Sequence, residues 1–246
     1  MEINQHIAEY YDELYPVTEE QKVFYEKVIN QYETPVKFLR IGCGTGTFEH
    51  NLAREGSDVT GIETSQELLD SANRKRRTQL MSVRYFQMSY LEMTRFLGRG
   101  FYNVISILHD RILFIHDKTL LKKFFYDCRQ LVSQNGKLIL SFPNFHQYVD
   151  SNFSEKIELP SKKSIRAQLQ TFVTSNGENF FMEQSLYNGT KEKIEVTKDA
   201  PIYLLQWEEV EQFAKEAGFF KVEFYQDFSL KKFTEESPRV LAVISA

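Results

Sequence analysis

Three closely spaced glycines are the chemically most informative residues of this chain. Gly42, Gly44 and Gly46 follow a predicted strand at residues 36–41 and overlap the start of a predicted helix at residues 45–55. Glycines at such a turn let the backbone bend sharply and let a ligand approach the main chain closely. The unpaired N–H groups at the start of the helix suit a carboxylate or a phosphate. The turn therefore predicts a binding site for a small molecule that carries an anionic group.

Glu63 narrows the type of ligand, because it stands at the end of the next predicted strand. A carboxylate in that place can accept two hydrogen bonds from ribose hydroxyls. The dinucleotide fingerprint is Gly-x-Gly-x-x-Gly, whereas this turn reads Gly-x-Gly-x-Gly and continues with Thr47. The spacing therefore favours a ligand with a single nucleoside over a nicotinamide dinucleotide. A nicotinamide-dependent oxidoreductase, or a turn that binds nothing, remains an alternative.

Polar side chains near the predicted strand ends are candidates for the substrate side, because open α/β sheets bind ligands there. His109 and Asp110 form the best pair for a general base, although a histidine in this place is often only a hydrogen-bonding partner. The candidate substrate-side residues are Tyr11, Tyr15, His109, Asp110, Arg111, Asn144 and His146.

The order of apolar runs and helical patterns predicts an α/β fold with a doubly wound, mostly parallel sheet. Helical patterns connect five predicted strands, and Asn135-Gly136 is expected to end the third helix as a C-cap. The predicted strands are residues 36–41, 58–62, 82–87, 102–108 and 137–142, and the helices are 45–55, 66–77 and 117–132.

The pattern changes after Pro143. Residues 166–174, 180–187 and 191–196 alternate as strands do, and Asn-Gly pairs in two of the connections favour hairpins. A helix at Trp207–Ala217 and strands at Lys221–Tyr225 and Arg239–Ser245 then follow. Only five residues separate the 228–233 segment from the last strand, so we expect an antiparallel hairpin at the end of a seven-stranded sheet.

These patterns predict four regions. They are an N-terminal helical lid (1–34, with helix from about residue 4 to 32), a Rossmann-like core (35–143), an inserted antiparallel β subdomain on the substrate side (144–205) and the C-terminal part of the core (206–246).

Composition argues against several classes of partner. The formal net charge is −4, so neither nucleic acid nor a membrane is an expected partner. The basic run at residues 74–77 ends a predicted helix, where cations are favoured and solvated. The two cysteines indicate neither a disulfide framework nor a metal site. We expect a cytoplasmic protein without a metal; the oligomeric state has no readable signal.

In its motifs the sequence resembles the class I S-adenosylmethionine-dependent methyltransferases, and more narrowly the small-molecule group with glycine and amino-sugar N-methyltransferases. The resemblance rests on the segments IAEYYDELY, LRIGCGTG, GIETSQELL and QNGKLILSFPN and on the antiparallel region after the fifth strand. It implies a methyltransferase that uses S-adenosyl-L-methionine and acts on a small-molecule acceptor by in-line transfer. The fourth strand ends in Ile107-Leu108-His109-Asp110, not in the Asn-Pro-Pro-Tyr type of motif, so methylation of nucleic acid is the less favoured alternative.

The resemblance also implies roles for individual residues. His109 and Tyr11 would be catalytic, and Tyr15, Arg111, Asn144 and His146 would face the acceptor. The residues implied to bind the cofactor are Tyr11, Gly42, Cys43, Gly44, Gly46, Glu63, Thr64, Leu68, Ser89, Tyr90 and Leu108.

Two positions depart from the family pattern. Arg40 and Ser89 stand where the family usually has acids. Arg40 is expected to repel the cofactor's ammonium group unless it turns away, at a cost on the order of 1 kcal/mol for exposed like charges. Ser89 still offers one hydrogen bond. A relative that binds the cofactor without turnover is therefore an alternative.

Overall fold

The computed structural model describes residues 7–76, 81–149, 156–189 and 193–246. Its larger sheet has seven strands in the order β10-β11-β5-β4-β1-β2-β3. β1 to β5 are mutually parallel, and β11 lies between β5 and β10 and runs antiparallel to both. The strands are β1 (Lys37–Ile41), β2 (Asp58–Glu63), β3 (Val83–Gln87), β4 (Tyr102–Ile107), β5 (Val132–Pro143), β10 (Lys221–Tyr225) and β11 (Arg239–Ser245).

The register of the central strands brings their C-terminal ends to one edge. Ile41 pairs with Ile62 on one side and with Ile107 on the other. The next residue on each strand, Gly42, Glu63 and Leu108, therefore lies at the same level of the sheet. Since β2 is buried along its whole length and β4 along nearly all of it, helices must cover both faces of this sheet.

Helices pack on the sheet through apolar faces. In the longest helix, α6, Leu121, Phe124, Phe125 and Cys128 recur at helical spacing and are all buried. Asp117 begins that helix by accepting a hydrogen bond from the Leu120 amide at 2.9 Å. The α-helices are α1 (Tyr11–Leu14), α2 (Glu19–Ile29), α3 (Thr47–Arg54), α4 (Gln66–Arg76), α5 (Met93–Phe96), α6 (Lys118–Leu131), α7 (His146–Val149) and α8 (Trp207–Ala217). A 3-10 turn spans Arg111–Phe114. Of the helices that the structure describes, none has the length and apolar character to cross a membrane.

The second sheet is an antiparallel meander of β6 (Lys156–Lys163), β7 (Ala167–Ser175), β8 (Phe180–Asn188) and β9 (Lys193–Ile202). Along β7, residues that are buried alternate with residues that are partly exposed, so one face of this sheet packs inward and the other faces outward. Leu14 at the end of α1 joins Ala167 and Leu169 of this sheet in one apolar cluster. The N-terminal segment and the second sheet therefore pack on each other next to the strand ends of the larger sheet.

The predicted fold class is confirmed, and three details differ from the predictions. The sequence analysis missed β6, because Pro160 and four charged residues interrupt its apolar pattern. Asn135-Gly136 does not cap a helix: α6 ends at Leu131, and this pair lies in an irregular part of β5 between the pairings Tyr102 to Val132 and Val104 to Lys137. Asn135 adopts a positive φ of 66°, so the backbone of β5 turns at this residue.

The antiparallel end of the sheet also has a different partner from the one expected. β11 pairs with β10, and the 228–233 segment contributes only an isolated bridge from Lys232 to Tyr225. Some predicted positions lie outside the described residues: 4–6 of the N-terminal helical pattern, Arg77 of the basic run and 191–192 of the last inserted strand.

Candidate active site

The glycine turn is held against the end of β2. The Gly42 and Cys43 amides both donate to the Ile62 carbonyl, at 2.9 and 3.1 Å. Gly44 has a φ of +60°, and a Cβ there would lie 2.4–2.5 Å from ring atoms of Tyr11. A side chain at this position would thus meet both backbone strain and a clash, so the chain needs glycine here.

Glu63 is held beside this turn by backbone amides. Its side chain is 2% exposed. One carboxylate oxygen accepts from the Gly44 amide at 3.0 Å, and the other accepts from the Thr64 and Ser65 amides at 2.9 and 3.1 Å. Arg111 approaches the first oxygen to 3.5 Å. The carboxylate is therefore locked in place at the strand end.

A cleft of about 380 Å³ opens in front of Glu63. Its volume lies in the range of small-molecule sites. It brings together several residues that the sequence analysis singled out, on β1, β2, the segment after β3 and the turn after β4. The lining residues among those predictions are Gly42, Glu63, Thr64, Ser89, Tyr90 and Arg111.

The turn after β4 has an unusual backbone. His109 and Asp110 both adopt positive φ values, 56° and 65°. Non-glycine residues rarely adopt such angles, and they tend to occur at functional sites. The imidazole of His109 lies 4.8 Å, between ring centroids, from Tyr15. Burial, together with the cations around it, lowers the pKa of His109 well below its ordinary value. His109 is therefore neutral at neutral pH, with one ring nitrogen that carries no proton.

The N-terminal segment covers the glycine turn. Tyr11 is 5% exposed and stacks on Tyr15 at 4.8 Å. Asp12 secures the segment, because it accepts hydrogen bonds from Thr45, from Thr47 at 2.8 Å and from Lys75 at 2.5 Å. Burial raises the pKa of Tyr11, so its hydroxyl keeps its proton.

Arg40 is buried between α3 and β4 and does not line the cleft in front of Glu63. Its guanidinium is 2% exposed; Nε lies 3.2 Å from Glu49 Oε1 of α3, and Nη1 donates to Ser106 at 3.2 Å. The Nε–Oε1 approach is an ion pair without hydrogen-bond geometry. Burial outweighs the attraction of Arg40 and raises the pKa of Glu49 to about 7.

Asn144 and His146, predicted to face the acceptor, have their polar groups engaged elsewhere. The Asn144 amide donates to the carbonyls of Glu235 and Ser237 at 2.8 and 2.9 Å. The His146 ring nitrogens lie 3.4 and 3.8 Å from carboxylate oxygens of Glu208 and Glu235. Asn144 and His146 thus contact the loop before β11 through their side chains.

Three residues predicted to bind the cofactor are enclosed by protein. Leu68 is fully buried in the cluster that contains Leu14 and Leu169. Leu108 packs in another apolar cluster together with Cys43. Burial raises the pKa of the Cys43 thiol well above its ordinary value, so it stays protonated.

Other polar residues at the site were missed by the sequence analysis. Arg239, the first residue of β11, lies 2.5 Å from Asp110. Lys162 of β6 lies 4.9 Å from the centroid of the Tyr15 ring. Both belong to strands far along the chain from the glycine turn, and no motif marks them. The only signal near Lys162 is Pro160, because proline inside a strand often marks a bulge.

Comparisons with known proteins agree with this geometry. Residues 38–136 match the methyltransferase domain family. A "Putative methyltransferase" of Geobacillus sp. (strain WCH70) is 25% identical over 236 residues, which cover 89% of each chain.

Two solved structures share the fold at lower identity. The CcbJ methyltransferase from Streptomyces caelestis has a TM-score of 0.79 at 18% identity, over 98% of this chain and 96% of that one. CalS10 from Micromonospora echinaspora, an amino pentose methyltransferase, has a TM-score of 0.67 at 15% identity, over 100% and 99%. Residues 38–136 therefore resemble a methyltransferase domain, and the chain as a whole has the fold of known methyltransferases.

Proposed function

We propose that this protein transfers the methyl group of S-adenosylmethionine to a small-molecule acceptor. One observation carries the proposal. The buried Glu63 carboxylate lines the cleft and is held by three backbone amides, one of them that of Gly44. A carboxylate in that position suits a pair of ribose hydroxyls.

The residues around the cleft fit such a cofactor. Gly42 and Gly44 both have positive φ and offer bare backbone that a Cβ would cover. Thr64, Ser89 and Tyr90 line the cleft beyond Glu63, where we assign the adenosine part. Side chains of Arg111 and Tyr11 lie over Gly42 and Gly44, respectively. These two side chains must rotate before a ligand can reach the turn.

When bound, the cofactor supplies a methyl group on a positively charged sulfur. Holding the accepting atom in line with that methyl group then provides much of the rate. An amine with a free electron pair needs no further help. A hydroxyl acceptor needs a base, and we assign that role to His109, which is neutral at neutral pH.

Tyr11 and Tyr15 form the wall next to His109. Burial raises the pKa of both hydroxyls, so each remains a neutral donor while His109 receives a proton. The stack of Tyr11, Tyr15 and His109 holds the imidazole in one orientation, which is what a positioned base requires.

A small acceptor is the class that the size of the cleft supports. Its volume of about 380 Å³ lies in the range of small-molecule sites. The amino pentose methyltransferase that shares the fold over the whole chain is named for a small-molecule acceptor.

A second candidate, a protein that binds the cofactor without turnover, is favoured by one observation. Arg111 and the Gly44 amide already occupy the Glu63 oxygen that faces the turn. A ligand that needs that oxygen must displace Arg111. The second candidate predicts cofactor binding and no methyl transfer.

Calorimetry with S-adenosylmethionine, S-adenosylhomocysteine and the nicotinamide dinucleotides tests both candidates. Glu63→Gln is expected to weaken binding of the sulfur ligands at least tenfold, because a hydrogen bond to a charged group contributes about 1.5–3 kcal/mol. Glu55→Gln, an exposed carboxylate at the end of α3, is the matched control and should change nothing.

Three results would count against the main proposal. The first is the absence of binding of either sulfur ligand at millimolar concentration. The second is tighter binding of a dinucleotide. The third is binding without transfer to any member of an amine, hydroxyl and thiol panel, which selects the second candidate.

A further inference from the structure

Four cations among the described residues lower the pKa of His109. Three of them are arginines, each with a carboxylate partner within ion-pair distance, and the fourth is Lys162. The pairs are Arg40 with Glu49 at 3.2 Å, Arg111 with Glu63 at 3.5 Å and Arg239 with Asp110 at 2.5 Å. Within the part of the chain that the structure describes, the Lys162 ammonium has neither an ion pair nor a hydrogen bond.

A β-bulge turns Lys162 toward the site. Leu159 pairs with Thr171, but the next pair is Lys162 with Leu169, so three residues of β6 match two of β7. The extra residue reverses the alternation, and Lys162 shares the inward face of Leu169, which is fully buried. Without the bulge, Lys162 would be on the outward face, where Lys163 now lies exposed.

Among the described residues, the carboxylate that acts on Lys162 already has another partner. Its Nζ lies over the Tyr15 ring, which in turn contacts His109. Asp110 is the carboxylate that acts on Lys162, but Arg239 already holds it at 2.5 Å. Burying a cation is costly unless it is paired, and burial lowers the pKa of Lys162 here. An incoming anion would therefore balance the charges of the cluster.

The position of this cation separates it from the adenosine part of the cleft. In the order β11-β5-β4-β1-β2, Glu63 ends β2, whereas Arg239 begins β11 beyond the other side of β4. Lys162 lies over the Tyr15 ring and is not among the residues that line the cleft in front of Glu63. A group bound by Lys162 would therefore lie apart from the adenosine part.

We propose that the methyl acceptor carries an anionic oxygen group, a carboxylate or a phosphate, and that Lys162 binds this group. The ion pair would place the rest of the acceptor against Tyr15 and His109. This inference rests on the proposed function, because it assigns the acceptor side of the same site. Lys162 is a binding residue in this scheme, and it takes no part in the proton transfer.

Acetate and inorganic phosphate are the probes for the first test, titrated at constant ionic strength into the protein saturated with S-adenosylhomocysteine and followed by NMR. Acetamide is the neutral probe. We expect saturable binding of at least one anion, no binding of acetamide, and at least a tenfold loss of anion affinity in Lys162→Met. Lys163→Met, the exposed neighbour, should bind the anion as the unchanged protein does. Lys162→Arg keeps the charge and should retain binding, which separates loss of the cation from damage to the fold.

The second test uses matched pairs of amine and hydroxyl acceptors with and without a carboxylate or phosphate. The unchanged protein should prefer the anionic member of each pair at least tenfold in kcat/KM. Lys162→Met should lose this preference because its KM for the anionic member rises. The stronger of the two anion classes identifies the group. The affinity of Lys162→Met and of Lys162→Arg for S-adenosylhomocysteine should stay within twofold of that of the unchanged protein.

The proposal is overturned if Lys162→Met binds the anions unchanged or if neutral acceptors are preferred. It is also overturned if affinity for S-adenosylhomocysteine falls in that variant, since Lys162 would then belong to the cofactor side. Absence of S-adenosylhomocysteine binding would instead refute the proposed function. The anion titration on the ligand-free protein would still decide the role of Lys162.

Discussion

Replacing Gly44 with alanine tests the close contact between the N-terminal segment and the glycine turn. The φ of +60° costs an L-residue roughly 1–2 kcal/mol. The new Cβ would lie 2.4–2.5 Å from ring atoms of Tyr11, about 1 Å inside normal contact, and overpacking of this kind costs about 1–3 kcal/mol. We expect Gly44→Ala to lower the free energy of unfolding by about 2–5 kcal/mol.

A double-mutant cycle separates the two contributions. Tyr11→Ala alone should cost about 3–5 kcal/mol, as for other large buried aromatic side chains. In the double variant the methyl group has room, so the combined loss should be smaller than the sum by about 1–3 kcal/mol. Gly177→Ala is the matched control: its φ is +94° with nothing within 4 Å of the new Cβ, so only the conformational cost remains.

The measurement is urea unfolding of the ligand-free protein, with the m-value checked for constancy. If the losses of the two single variants add up to the loss of the double variant within about 0.5 kcal/mol, Tyr11 does not pack on Gly44 in solution. A Gly44→Ala loss equal to that of Gly177→Ala would lead to the same conclusion.

Three further predictions follow from the charges and the core. Burial raises the pKa of Glu49 from 4.5 to about 7, so its stabilising contribution is complete below pH 4.5 and is lost as pH rises through 7. The free energy of unfolding of the unchanged protein, compared with that of Glu49→Gln, should therefore fall by about 3 kcal/mol between pH 4.5 and pH 8.5. A difference between the two proteins that does not change with pH would contradict this. Asp12→Asn should speed amide hydrogen exchange of residues 7–15 about fivefold, because this half-exposed carboxylate contributes about 1 kcal/mol through Lys75 and its other donors; unchanged exchange would refute the tether. Phe125→Ala should cost about 3–5 kcal/mol and Tyr126→Ala less than about 1 kcal/mol, since the first is fully buried and the second 56% exposed; equal losses in urea unfolding would contradict the orientation of α6.

Local patterns predicted most of the larger sheet. The bounds of α8, β10 and β11 agree with the predictions, because a helix with an apolar face or a short apolar strand is encoded by neighbouring residues. β6 was missed for the converse reason. Its bulge breaks the alternation that would have indicated a strand, and the bulge exists only in the pairing with β7.

The meeting of Gly42 and Glu63 was predictable, since Gly42 follows β1 and Glu63 ends β2. Parallel pairing in register brings such positions to one edge whatever the rest of the chain does. The contacts of the residues after β5 were not predictable in this way. Asn144 and His146 follow β5 in the expected manner, yet their polar groups bind the loop before β11.

By itself, the sequence determined where the glycine turn lies, which carboxylate stands beside it and which fold carries both, because these depend on local spacing. Only the tertiary structure decided how the charges are distributed. Arg40 points away from the cleft because α3 places Glu49 3.2 Å from its guanidinium. Lys162 lies over the Tyr15 ring because one extra residue in β6 reverses the direction of its side chain. Electrostatic partners are set by distance in space, and distances between remote strands are not written in any single stretch of sequence.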